Sequence, residues 1–399
     1  MADVLFFIGN GFDLNLGLKT SFKDVLDEYC AIETKDESIL EFQREINRDY
    51  PNWADFEKAM GIYAKKFEPN NQNVYFSQID SFRNVLREKL LREESYIDYH
   101  NQKEKISSAF TRSLTSFQNY LSQKSKEALS PFIPTSLQSP NESIGLTYRF
   151  IVFNYTNVFD KCIELIKKDT IPHFTAQSHV NSKITINGII GGVLHIHGTL
   201  KSPFILGVDN IEQIENTELS VDENFQWRIV KPIINEELGE NSDIRAKKMI
   251  DNSSVICIFG MSIGATDKTW WDCVYNWLKA NISRQLVIFY YAKEFDMTNP
   301  GAIVSRKKEV QDLFFTVVGA DGNDRKKCEN RIHIARENGE MFKVNALVAS
   351  EQLAGALPDL IKVVSNIDPN LIAEINKDPL SFQQKASDIK KIYDNILQK

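Results

Sequence analysis

Residues 4–8, Val-Leu-Phe-Phe-Ile, form a continuous apolar run that stops at Gly9-Asn10-Gly11-Phe12-Asp13. A run that is apolar at every position suits a strand buried on both faces, as in a parallel sheet covered by helices. The same succession of apolar run and polar or Gly-rich turn returns three times. Phe150–Phe153 leads into Asn154-Tyr155-Thr156-Asn157, Val193–Ile196 into His197-Gly198-Thr199, and Val255–Phe259 into Gly260-Met261-Ser262-Ile263-Gly264. A further run, Leu286–Tyr291, follows a stretch in which Trp271, Val274, Tyr275 and Leu278 keep helical spacing. Strand, helix, strand in this order is the signature of a βαβ unit. The fold class expected is therefore α/β with a parallel sheet, its polar turns converging on one edge.

Between the first run and the second the spacing is helical. Ile106, Phe110, Leu114, Phe117 and Leu121 trace one apolar stripe, and Trp53, Phe56, Met60 and Phe82, Leu86, Leu90 do the same. These aromatics are expected to be helix core. The organisation that follows is a discontinuous body of residues 1–30 and 146–345, a helical insertion at 31–145, and C-terminal helices at 346–399. The insertion should end in the loop-rich stretch Pro131–Ser143, and Gly319–Asn330 reads as an exposed charged loop. In the tail, Phe382, Ala386, Ile389, Tyr393 and Leu397 share one helical side.

A formal net charge of −7 leaves no surplus of Lys and Arg for the phosphates of duplex nucleic acid. No apolar run approaches the roughly 20 residues of a membrane span. Met1–Ile8 lacks a basic flank and runs into a Gly-rich turn, so it reads as a strand and not as a signal peptide. The five cysteines, Cys30, Cys162, Cys257, Cys273 and Cys328, are scattered and show no CxxC spacing. Reduced thiols, no zinc site and a cytoplasmic location are the expectation.

Gly9, Asn10, Gly11 and Phe12 form the sharpest local feature. Their glycines would let backbone approach a ligand, with the turn's N–H groups facing an anion; a plain tight strand-to-helix turn is the alternative. Asp13 would cap the next helix or meet ribose hydroxyls. Asn154 and Asn157 sit where α/β proteins bind ligands, or else turn the chain and cap the helix near Phe159. His195 and His197 would share one strand face, since side chains alternate with period two. A neutral His there can accept a proton or polarise a hydroxyl. Gly260 and Ser262 open a second strand-to-helix turn, with Asp267 as a helix cap and Trp270-Trp271 as packing.

Read together, Ile8-Gly-Asn-Gly-Phe-Asp13-Leu14, Gly17-Leu-Lys-Thr-Ser-Phe22, Trp53-Ala-Asp-Phe-Glu57, Phe153-Asn-Tyr-Thr-Asn157, His195-Ile-His-Gly198 and Phe259-Gly-Met-Ser262 resemble the AbiH family of bacteriophage abortive-infection proteins. The likeness spans most of residues 1–295. That family is in turn similar in motif order to sirtuin-like NAD-binding domains, which implies a Rossmann-like sheet and NAD as substrate or ligand. It also implies catalytic roles for Asn154 and His197 at the nicotinamide ribose, and cofactor contacts from Gly9, Asn10, Gly11, Phe12, Gly260 and Ser262. Two positions depart from the sirtuin-like pattern. Asp13 stands where a small hydroxyl residue is usual, and Thr156 where an Asp is usual. Without Cys pairs, protein deacylation is not expected, whereas hydrolysis of the nicotinamide N-glycosidic bond is. In that chemistry Asp13 would face the cationic ribose, Asn154 would orient water or ribose, and His197 would be the base. A nucleotide small molecule is the expected partner, together with a phage-derived trigger and a second copy of the chain; no membrane is expected.

Two other readings stand beside this one. His195 and His197, with Asp13, Asp209 or Asp267, would hold a divalent metal for phosphodiester hydrolysis. Alternatively, the chain binds a nucleotide as a sensor and turns nothing over.

Overall fold

The computed structural model describes residues 2–53, 55–133, 145–166, 171–177, 183–291, 299–337 and 339–344. Its sheet contains β1 (Ala2–Ile8), β2 (Leu146–Val152), β3 (Ile171–Gln177), β4 (Lys183–His195), β5 (Val255–Phe259), β6 (Gln285–Tyr291) and β7 (Ile332–Glu337). Their order across the sheet is β3-β4-β2-β1-β5-β6-β7. Every pairing is parallel except β3 with β4, an antiparallel edge. With that edge strand set aside, the remaining six follow the Rossmann order, with the chain reversing direction of growth at β1. The α/β Rossmann-like expectation holds; the antiparallel β3 is an addition to it. The five apolar runs became β1, β2, the end of β4, β5 and β6. β4 extends back through the alternating isoleucines to Lys183, with a register shift opposite Tyr148 and Arg149.

Strand β1 shows why its run had to be apolar throughout. Val4, Phe6 and Ile8 enter the core on one face of the sheet, and Leu5 and Phe7 enter the core on the other. Period-two alternation between two covered faces leaves no position for a polar side chain.

Helices α1 (Gly11–Asn15), α2 (Phe22–Cys30), α3 (Glu37–Arg48), α4 (Tyr50–Trp53), α5 (Phe56–Tyr63) and α6 (Gln72–Ser95) follow β1. After them come α7 (Lys103–Ser116) and α8 (Gln123–Leu129), and beyond β2 comes α9 (Val158–Glu164). The first sheet face is covered by residues of α7 and α9. Between β4 and β5 lie α10 (Glu223–Ile229), α11 (Lys231–Glu237) and α12 (Ser242–Asn252). The second face packs on α12, on α13 (Lys268–Ala280) and on α14 (Pro300–Val317). Helices α2 to α6 build an aromatic layer of their own, joined by residues 200–230, in which the Phe56 and Phe82 rings stack at 3.7 Å.

Several local expectations change. The stripe from Ile106 to Leu121 is buried throughout, but α7 ends at Ser116 and Phe117 lies in a 3-10 turn. Trp53 and Phe56 belong to two helices, because Asp55 caps the second by accepting from the Lys58 N–H. The stretch expected as a charged loop contains α15 (Gly322–Cys328), nucleated where Asp321 accepts from the N–H groups of Asn323 and Asp324. All five cysteines are free thiols. Among the described residues no helix is long and apolar enough to cross a membrane. The expected C-terminal helices and most of the Pro131–Ser143 loop lie outside the described residues.

Candidate functional site

The turns leaving β1, β2, β4 and β5 surround a cavity of about 300 Å³ at the point where strand order reverses. This is where open α/β sheets bind ligands.

The turn after β1 is shaped by its neighbour. The Gly9 N–H donates to the Phe259 carbonyl at 2.9 Å, and the Gly11 N–H to the Gly260 carbonyl at 2.8 Å. A Cβ on Gly11 would fall 2.6 Å from the Gly260 Cα. Two backbones thus pass too closely for any side chain, and Gly260 itself sits at φ +70°. Of the turn's N–H groups, those of Gly9 and Gly11 are therefore taken by β5 and its turn and do not face an anion, while both glycines line cavities, Gly9 this one and Gly11 its neighbour. Asn10 lines the cavity but is tied to Thr20, donating to its carbonyl at 3.0 Å and accepting from its hydroxyl at 2.8 Å. Phe12, expected to touch a cofactor, is fully buried against Phe110, Phe159 and Phe342 and is a core residue.

Asp13, in α1, is fully buried. Its Oδ2 accepts from the Thr156 hydroxyl at 2.7 Å, while Oδ1 has no partner. Burial raises the carboxyl to about 7, against the opposing pull of Thr156 and Asn154. Asn154 is buried beside it with both amide atoms unpartnered. Asn157 occupies the cap position of α9 without a side-chain cap bond. His197 reaches the same cavity, 5% exposed, and neither ring nitrogen has a hydrogen-bond partner. Its nearest charge is Asp267, at 3.7 Å from Nε2. Burial and the Lys231 charge push the His197 imidazole below its usual range, so it is neutral at pH 7. Burial alone would raise Asp267, but the approach of His197 and the charge of Lys231 hold its carboxyl below the ordinary range.

His195 and His197 do not act as a pair. β4 ends at His195, and the chain then turns through Gly198 at φ +72°, so strand alternation no longer applies. The His195 ring faces the Asn154 carbonyl at 3.0 Å and Asp160 at 2.6 Å, away from the cavity His197 lines. Asp209 accepts from the Thr269 N–H at 2.9 Å and so fixes the start of α13. The expected metal grouping of these histidines with Asp13, Asp209 or Asp267 is not assembled, and no set of three metal-ligating side chains occurs among the described residues.

No local pattern marks Lys231, a solitary lysine before a proline. Buried in the cavity wall, it donates to Glu57 at 2.7 Å, and Glu57 also accepts from the Tyr155 hydroxyl at 2.8 Å. Despite its burial, Glu57 and Asp267 raise the Lys231 ammonium above its usual range. Glu57 lies in the Trp53–Glu57 segment noted above, but only the fold shows that α5 delivers it here. Gly260, Met261 and Ser262 line this cavity and also a second one of about 570 Å³ that reaches Tyr290 and Tyr291.

A family model described as Bacteriophage abortive infection AbiH matches residues 5–290, well over half of the chain. No curated protein matches.

Proposed function

The chain belongs to the AbiH family of bacteriophage abortive-infection proteins, and we propose that in this role it binds NAD and hydrolyses the nicotinamide N-glycosidic bond. One observation carries the reading. Asp13, Asn154 and His197 bring five buried, unpartnered polar atoms to the wall of one cavity. Buried polar groups are satisfied in all but a few cases, so a concentration of exceptions points to a polar ligand that completes them.

The reaction needs little more than these groups. The bond from ribose C1′ to the pyridinium nitrogen breaks, and its electron pair neutralises the nicotinamide ring. Water adds at C1′, and its proton leaves to a base, giving ADP-ribose, nicotinamide and a proton. Asp13 in its carboxylate form stabilises the oxocarbenium character that develops on the ribose. Asn154 orients the water or the ribose, and His197, neutral at pH 7, takes the proton. The smaller cavity suits the nicotinamide riboside half. The larger one, sharing Gly260, Met261 and Ser262 with it, offers space for the adenosine half, consistent with dinucleotide binding across a switch point.

The two departures from the sirtuin-like pattern answer one another. Asp13 and Thr156 touch at 2.7 Å, so a carboxylate–hydroxyl pair is kept with its two members exchanged between the turns. The pocket keeps its carboxylate.

NAD measured in cells expressing the wild type or His197→Ala, before and after phage challenge, tests the reading. A fall in NAD confined to the wild type is expected, with nicotinamide released by the purified protein. Unchanged NAD alongside growth arrest by the wild type removes cleavage; tight NAD binding without turnover would then favour the sensor.

A further inference from the structure

A third cavity, of about 240 Å³, lies beside the end of β4 and shares no lining residue with the candidate active site. It is smaller than the roughly 300–1,000 Å³ pockets that take drug-sized ligands. We propose that it is a binding site for a phosphate group, whether free or carried on a small organic molecule.

The first turn of α12 opens onto it. A helix start leaves N–H groups unsatisfied and carries partial positive charge. Here the cap residue Asn241 adopts a left-handed conformation and makes no side-chain cap bond, its amide donating to the Gly239 carbonyl instead. Ser242 lines the cavity with a hydroxyl that is buried and unpartnered, the residue being 5% exposed. That hydroxyl is an independent sign of a missing ligand atom. Arg245, one position beyond the first turn, lines the same space and supplies the cation, since guanidinium groups match phosphate oxygens in geometry. Across the cavity Thr199 and Ser202 share a hydroxyl contact of 3.3 Å and can turn towards an acceptor. Glu240 is the carboxylate on the wall and works against an anion.

The cavity is not isolated from the candidate active site. His195, the last residue of β4, is part of its wall, and the His195 ring, turned towards α9, meets the Asn154 carbonyl at 3.0 Å and Asp160 at 2.6 Å. The inference does not depend on whether the nicotinamide bond is cleaved.

Isothermal titration of the full chain with inorganic phosphate, and in parallel with ribose 5-phosphate, tests it at fixed ionic strength. Saturable binding is expected, weakened at least tenfold by Arg245→Ala and several-fold by Ser242→Ala, and tightened by Glu240→Gln. Arg245 is exposed, so its replacement is expected to leave the fold intact, which circular dichroism checks. Tighter binding of the sugar phosphate would mark an organic phosphomonoester as the ligand; equal binding would mark the free ion. Absence of saturable binding of either probe, or binding that Arg245→Ala leaves unchanged, overturns the proposal.

Discussion

The aromatic layer of α2 to α6 and the cavity beside it treat their fully buried polar side chains in opposite ways. In the layer, the Gln43 amide donates to the carbonyls of Tyr29 and Ile32, at 2.8 and 3.0 Å. Tyr63 donates to Gln78 at 2.9 Å, Tyr75 to the Met60 carbonyl at 3.1 Å, and Gln78 to the Ser38 carbonyl at 2.9 Å. In the cavity, Asp13, Asn154 and His197 are equally buried and hold atoms with no partner. An unsatisfied buried group costs about 1–3 kcal/mol. A chain that satisfies such groups in one place and leaves them open in another is storing binding capacity in the second, at the expense of stability.

The comparison breaks most visibly by mutation of the cavity. His197→Ala and Asn154→Ala are each expected to lower nicotinamide release by about 10²–10⁴-fold while leaving the melting temperature unchanged or raised. If either variant melted well below the wild type, its side chain would be structural.

Asp13 sharpens the same point through stability. Its carboxyl titrates at about 7 in the folded chain against an ordinary 3.8. The folded state thus holds the proton more tightly, and the stabilisation this gives is full below 3.8 and lost as pH rises through about 7. A difference of that size corresponds to at most about 4 kcal/mol at pH 8. Asp13→Asn, which keeps the shape and can still accept from Thr156, is expected to stabilise towards that limit at pH 8 and to change little at pH 4. Denaturant titrations at the two pH values measure it, and equal effects at both would mean that the carboxylate is not strained.

On the other side of the comparison, Gln43→Ala removes two hydrogen bonds from the layer, one to the Tyr29 carbonyl, which still accepts from the Ile32 N–H, and one to the Ile32 carbonyl. A loss of about 1–3 kcal/mol is expected, with turnover per folded molecule unaltered. A fall in turnover would show that the layer also shapes the pocket, which it borders through Glu57 and Leu86.

The smallest effect is a change in pH profile. With Asp13 needed as a carboxylate, wild-type turnover should rise through about 7. In Asp13→Asn the residual activity should follow His197, whose imidazole lies below its usual 6.5, so the acid limb moves to lower pH. A limb that stays in place would assign it to another group.

Much of this molecule was legible in the chain. The strands that follow apolar runs could be read because burial on two faces excludes polar residues along their whole length. Ile332–Glu337 escaped notice: β7 lies at the sheet edge, and its alternation includes His333 and Arg336. The antiparallel pairing of β3 was equally hidden, since local sequence does not state strand direction. In the site, Asp13, Asn154, His197 and Ser262 were legible because each follows a strand at the sheet's carboxyl edge. Lys231 and Glu57 were not, because a buried ion pair between α5 and α11 has no local pattern.

Residue order along the chain sets the period of each element, hence a covered parallel sheet with polar turns gathered at one edge. Tertiary structure decided the rest. The N–H groups of Gly9 and Gly11 went to the β5 turn, because that turn passes within van der Waals range of them. Two histidines two residues apart parted company because β4 ends between them, leaving one held at both ring nitrogens and the other held at neither. Periodicity is a property of the chain and can be counted along it. Whether a buried polar atom finds a partner depends on segments more than a hundred residues away, as Thr156 is from Asp13, and only the folded arrangement sets that distance.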